Sequence, residues 1–140
     1  MNRIDFLKQV GGLSLFTACG ATTALLNSCT KSYYINASIK NDAVSLNKTD
    51  FFEREFVVIN NPELEFPVYV YKKNEVDYVA LSMKCTHKGC QLKPAGKILV
   101  CPCHGSEFSN TGKVMTPPAD VDLKQYATSV INDQVLVILK

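Results

Sequence analysis

Two short runs hold the residues of this 140-residue chain that are best suited to chemistry. The first is Cys85-Thr86-His87-Lys88-Gly89-Cys90, and the second is Cys101-Pro102-Cys103-His104-Gly105-Ser106-Glu107-Phe108. Both histidines and four of the six cysteines of the chain fall inside them. Each run offers one Cys and one His to a shared metal site and leaves a second Cys over. Two thiolates and two imidazoles suit zinc, or an iron–sulfur cluster in which one iron takes nitrogen ligands. Ligand type alone does not separate the two. A zinc finger would need a helical stretch ending in two spaced histidines, and none lies between the runs. Zinc also gives no reason for the second cysteine of each run. In Cys85-x-His87 the two side chains stand two residues apart, so a tight loop can aim both at one small object. In Cys101-x-x-His104, Pro102 stiffens the loop, and Gly105 lets the backbone turn and approach closely, as Gly89 does in the first run.

The two runs resemble the cluster-binding motifs of the Rieske [2Fe–2S] family, in the respiratory, cytochrome bc-type branch that carries two extra cysteines. The resemblance implies a [2Fe–2S] cluster with Cys85 and Cys101 on one iron and His87 and His104 on the other. Two neutral imidazoles in place of thiolates make such a cluster less negative and easier to reduce. These centres span roughly −150 to +300 mV, against about −400 mV for plant-type ferredoxins. The resemblance also implies a Cys90–Cys103 disulfide clamping one loop to the other, a pair that the ferredoxin-type members serving oxygenases generally lack.

Ser106 falls where the family places a serine that hydrogen-bonds a cluster sulfide, which stabilises the reduced state. Phe108 stands where many respiratory members carry a tyrosine that donates to a ligand sulfur. One lost hydrogen bond of about 1 kcal/mol lowers the expected potential by roughly 40 mV. Thr116-Pro117-Pro118-Ala119 resembles the proline loop that covers the cluster in respiratory members. Lys88 is a departure, because quinol-oxidising relatives usually have an apolar residue between the first His and Gly. With Lys84, Lys93 and Lys97 it offers a basic collar, suited to an acidic redox partner and to steered encounter.

The elements that must position these loops read as all-β. Apolar, β-rich runs occupy 56–59, 68–71 and 76–81, with Lys73-Asn74-Glu75 as a hairpin turn. Residues 98–100 lead into the second ligand run, and 108–114 gives a further strand and turn. Segments 127–131 and 135–139 bracket Asn132-Asp133-Gln134 as a closing hairpin. Tyr33 to Ile39 starts as a strand, and the stretch from there to Asp50 carries no functional signal. Many short strands between turns indicate a small β-sandwich or barrel. The family resemblance adds an inserted cluster-binding subdomain at about 84–120, within a Rieske domain at 29–140.

Residues 1–28 read as a leader. Arg3 and Lys8 supply positive charge, and no charged residue occurs from Gln9 to Thr30. Leu25-Leu26-Asn27-Ser28-Cys29 resembles a bacterial lipoprotein cleavage box, which would leave a lipid-modified Cys29 as the membrane anchor. Asn2 to Lys8 is similar to a twin-arginine leader, with Ile4 where the second arginine belongs. A retained helix of about 33 Å is the alternative anchor, but its glycines, serines and threonines make a weak span. Either anchor places the domain on the extracytoplasmic face of a bacterial envelope, where a disulfide persists.

The net charge of +2 is too slight to suggest a nucleic-acid partner. No nucleophile, general base or substrate pocket is legible. The expected function is one-electron transfer between redox proteins by a membrane-anchored carrier. The alternatives are an iron–sulfur subunit of a quinol–cytochrome c reductase or of an arsenite-oxidase-type complex, a ferredoxin donor to an oxygenase, and a zinc-stabilised binding module.

Overall fold

The computed structural model describes residues 33–140, so the readings made on residues 1–28 and on Cys29 lie outside the described residues. The described chain runs through β1 (Tyr34–Asn36), β2 (Ile39–Lys40), β3 (Ala43–Asn47), β4 (Phe56–Asn60), β5 (Val68–Lys72) and β6 (Tyr78–Ser82). It continues through β7 (Lys93–Ala95), β8 (Ile98–Val100), β9 (Glu107–Ser109), β10 (Val114–Thr116), β11 (Gln125–Ile131) and β12 (Gln134–Ile138). A 3-10 turn at Lys48–Phe51 separates β3 from β4. Among the described residues no helix is long and apolar enough to cross a membrane.

Eight strands form one sheet in the order β1-β4-β5-β6-β11-β12-β3-β2, and four form another in the order β10-β9-β8-β7. Side-chain alternation decides how they pack. Val57 and Ile59 of β4, Val68 and Val70 of β5, and Tyr78 and Ala80 of β6 share a core with Val44 and Leu46 of β3 and Val135 and Val137 of β12. Those partners stand at opposite ends of the strand order, so the large sheet curls into a half-barrel with this core inside. The all-β sandwich or barrel reading is therefore borne out.

The other face of the same three strands is buried as well. Val58, Tyr69, Val79 and Leu81 pack with Leu92, Leu99 and Phe108, and with Cys85 and Cys101. Strands β4 to β6 thus form a wall between two cores, which is why they read as unbroken apolar runs rather than alternating ones. Each fully buried aliphatic side chain there contributes about 1.5–3 kcal/mol. The chain leaves the large sheet after Ser82 and returns at β11, which pairs directly with β6 through Gln125↔Leu81 and Tyr126↔Ala80. Both ligand runs and the four-stranded sheet lie in that excursion.

Two expectations shift. Strand β6 begins at Tyr78, two residues later than the apolar pattern suggests, because Asn74 Oδ1 accepts the N–H groups of Val76 and Asp77 and extends the turn. Strand β3, in the stretch without functional signal, pairs with β12 along its whole length. Its alternation of Val44 and Leu46 with exposed Ser45 and Asn47 is the signal that marks it.

The inner core contains one polar misfit. Tyr78 packs edge-on to Phe51, with ring centroids 5.0 Å apart, and its buried hydroxyl has no hydrogen-bond partner among the described residues. Burial pushes its phenol above the usual tyrosine range. Leaving such a group unpaired costs about 1–3 kcal/mol. Tyr78→Phe is therefore expected to raise unfolding stability by about 1 kcal/mol in urea denaturation. A loss of stability would show that the hydroxyl is satisfied.

Candidate metal centre

The two ligand runs turn on one hydrogen-bonded plan. In the first, Gly89 N–H donates to Cys85 O at 2.8 Å and Cys85 N–H donates to Cys90 O at 2.8 Å. In the second, Gly105 N–H donates to Cys101 O at 3.0 Å and Cys101 N–H donates to Ser106 O at 2.8 Å. Each loop is closed by a glycine four residues after its inner cysteine. Gly89 and Gly105 adopt φ of 75° and 78°, a left-handed geometry that costs other residues roughly 1–2 kcal/mol. The spacing Cys-x-His-x-Gly against Cys-x-x-His-Gly then places the two histidines at different points on otherwise matching turns.

Cys85 and Cys101 are each 2% exposed and belong to the core between the wall and the small sheet. Both are free thiols. Burial pushes the Cys85 thiol above its usual range; backbone N–H groups of His87 and Lys88 pull it down, and the adjacent Cys101 raises it further. An isolated thiolate is thus unfavourable here, whereas a bound cation would compensate it and release the proton. His104 is exposed and His87 is half-buried. Their ring centroids lie 4.9 Å apart, with the planes at 82°. His87 Nδ1 is buried and has no hydrogen-bond partner among the described residues.

Cys90 and Cys103 form a disulfide, with Sγ–Sγ 2.03 Å and Cα–Cα 6.5 Å. The Cys101 sulfur lies within 4.8 Å of both. These three sulfurs do not make a metal site, because the two that are bonded to each other have no thiolate to offer. The donor set that fits an iron–sulfur group is instead the two buried thiols and the two neighbouring imidazoles, His87 offering its orphaned Nδ1.

A third segment is fastened to both loops. Ser106 is wholly buried, and its Oγ accepts the Ala119 N–H at 2.9 Å, leaving its own O–H free to donate. Thr86 Oγ1 donates to Val121 O at 2.6 Å. Asp122 secures the return by accepting the Val114 N–H at 2.9 Å and pairing with Lys113 at 2.6 Å. The Pro117–Pro118 peptide is cis; both prolines are exposed, while Ala119 reaches the core. Sequence reasoning singled out Ser106 and the Thr116-Pro117-Pro118-Ala119 loop but gave no role to Thr86 or Asp122, whose partners lie too far along the chain for a local signal. Phe108 is wholly buried in the same core.

The basic collar is less uniform than the sequence suggests. Lys84 pairs with Glu65 at 2.8 Å and Lys97 with Glu55 at 3.6 Å. Lys88 and Lys93 are exposed.

Comparison with known proteins agrees with this geometry. The family model described as the Rieske [2Fe-2S] domain matches residues 38–127. The cytochrome b6-f complex iron-sulfur subunit of Prochlorococcus marinus is 36% identical over 75 residues, covering 51% of this chain and 42% of the relative. That of Chlorobaculum tepidum is 35% identical over 60 residues, covering 41% and 33%. The chain thus spans less than half the length of these curated relatives. Among solved structures, the cyanobacterial plasma membrane Rieske protein PetC3 from Synechocystis PCC 6803 superposes with a TM-score of 0.56 at 38% identity, covering 65% of this chain and 93% of that one. A complex of reduced oxygenase and oxidized ferredoxin in carbazole 1,9a-dioxygenase has the same TM-score at 20% identity, and shares the fold alone.

The disulfide joins residues 13 apart, a closure of about 3 kcal/mol in the chain-entropy model. The Cys90→Ser/Cys103→Ser variant is expected to lose up to that much stability in urea denaturation, and to bleach its visible absorbance at lower temperature than the wild type. Unchanged behaviour in both would show that the hydrogen bonds alone hold the loops.

Proposed function

The chain belongs to the Rieske [2Fe–2S] family, and on that premise we propose that Cys85 and Cys101 bind one iron of the cluster while His87 and His104 bind the other. The observation that carries this assignment is the pairing of two buried free thiols with a buried, partnerless His87 Nδ1 beside His104. Bound there, the cluster supplies reversible one-electron chemistry. The rest of the site belongs to the polypeptide. The cysteine end sits against the core, and His104 stands at the surface, so the imidazole end is the side from which a partner exchanges electrons.

Residues 84–120 serve as the cluster-binding subdomain of a domain spanning 29–140. Within it, Ser106 is oriented by the Ala119 N–H so that its O–H can donate to a sulfide, and Gly105 keeps the second loop close. Pro117 and Pro118 form the cover, tied just beyond Pro118 by Ala119 to Ser106 and by Val121 to Thr86.

The function is electron transfer, and its setting is a bacterial membrane redox chain. The leader at 1–28 directs export and is removed, and a lipidated Cys29 anchors the protein on the extracytoplasmic face, where the Cys90–Cys103 bond is stable. A second reading, favoured by relatives that are cytochrome b6-f complex iron-sulfur subunits, is the iron–sulfur subunit of a quinol–cytochrome c reductase. Lys88, exposed between His87 and Gly89, weighs against docking at an apolar quinol site. An exposed lysine suits an acidic protein partner better.

A redox titration of the holoprotein tests this reading. The expected midpoint falls within roughly −150 to +300 mV. A value near −400 mV, or no redox-active centre, would contradict mixed ligation. Phe108→Tyr is expected to raise that midpoint by about 40 mV, through one added donor to a ligand sulfur. An unchanged midpoint with an intact spectrum would mean that residue 108 does not tune the centre.

A further inference from the structure

The face beside the first ligand loop carries a feature that electron transfer alone does not account for. A groove of about 520 Å³ runs there, and His87 and Lys88 contribute to its wall. Its apolar lining includes Leu64 and Phe66, ahead of β5, and Tyr126, in β11. A lysine lies over each ring: Lys84 Nζ is 5.1 Å from the Phe66 centroid, and Lys124 Nζ is 4.8 Å from that of Tyr126. A cation resting on an aromatic face keeps its charge in place at a gain of about 0.5–1 kcal/mol at exposed sites.

The charges are not balanced. Glu65 also lines the groove and pairs with Lys84 at 2.8 Å, so those two cancel. Lys88 and Lys124 have no carboxylate partner among the described residues. Two uncompensated positive charges therefore border an aromatic floor that reaches a candidate ligand histidine.

We propose that this groove receives an acidic segment of the redox-partner protein, with carboxylates on Lys88 and Lys124 and an apolar side chain on the Phe66 and Tyr126 rings. The proposal rests on the electron-carrier reading and names the chemistry of the partner. Lys88 and Lys124 are exposed and stand along the groove, an arrangement that suits an extended acidic chain. A small anion would need donors converging in a buried pocket. Exposed charges of this kind chiefly raise encounter rate and set orientation, and here they would guide the partner to His87. The collar expected from sequence is thereby redrawn: Lys93 and Lys97 do not line the groove, and Lys124 does.

The test uses the full-length holoprotein and two fluorescein-labelled peptides, hexaglutamate and hexaglutamate interrupted by two leucines, with anisotropy read at low ionic strength. The interrupted peptide is expected to bind more tightly than hexaglutamate, and both to weaken as salt is added. Lys88→Gln/Lys124→Gln is expected to weaken binding about tenfold, whereas Lys93→Gln and Lys40→Gln leave it unchanged. Equal loss in the Lys93→Gln or Lys40→Gln variants would overturn the proposal, as would absence of peptide binding. So would vesicles of an anionic phospholipid binding through the same two lysines while the peptides do not. The visible and EPR spectra of the same samples separate the two levels. Intact spectra without peptide binding remove the groove proposal alone, and wild-type protein without a cluster signal removes the electron-carrier reading beneath it.

Discussion

The Cys90–Cys103 bond joins two loops that have no helix beneath them among the described residues, and that closure constrains the position of each candidate ligand. Each loop is a single turn held by two backbone hydrogen bonds and a left-handed glycine. One such turn is marginal by itself, since net hydrogen bonds contribute only about 0.5–1.5 kcal/mol each. Covalent closure makes the two turns a single unit. That unit sets the Cys85 and Cys101 thiols side by side and brings the His87 and His104 rings within 4.9 Å.

The closed loops need a floor, which the wall of β4 to β6 provides. Because those strands are buried on both faces, the half-barrel core and the core under the loops share one rigid layer. A change in side-chain volume at Leu81 or Tyr69 would therefore be felt in the core that also holds the thiols. The Thr116–Val121 stretch is the third contributor. It is tied to the second loop through Ser106 and to the first through Thr86, so the cover responds to both. The site is thus built from three segments and one sheet, and each part limits the freedom of the others.

Much of this arrangement was legible in the sequence, and the reasons are local. Cys and His are few, and their spacing within each run is short enough for one turn to interpret. Strands β4, β5 and β6 announced themselves because two-sided burial leaves little room for polar residues. Strand β3 was missed: two buried side chains in five residues give a weak pattern, and its identity rests on pairing with β12, some ninety positions away. The groove was equally invisible, since Phe66, Lys88 and Tyr126 meet only once β6 and β11 are paired. The partners of the collar lysines were hidden for a related reason, because a lysine count says nothing about where Glu65 and Glu55 come to lie. Ser106 was expected as a donor, but its second task, accepting the Ala119 N–H, depends on a contact thirteen residues away.

The central claim is a centre gripped by sulfur at one end and imidazole at the other, and nuclear labelling tests it most directly. Holoprotein prepared with ¹⁵N-histidine would be reduced, frozen and measured by EPR and ENDOR at low temperature. The account expects a rhombic signal, an average g below that of an all-thiolate centre, and hyperfine coupling from two histidine nitrogens, one of which is lost on replacement of His87 and the other on replacement of His104. A signal of all-thiolate character without ¹⁵N coupling would contradict it, as would iron-free, colourless protein after anaerobic reconstitution.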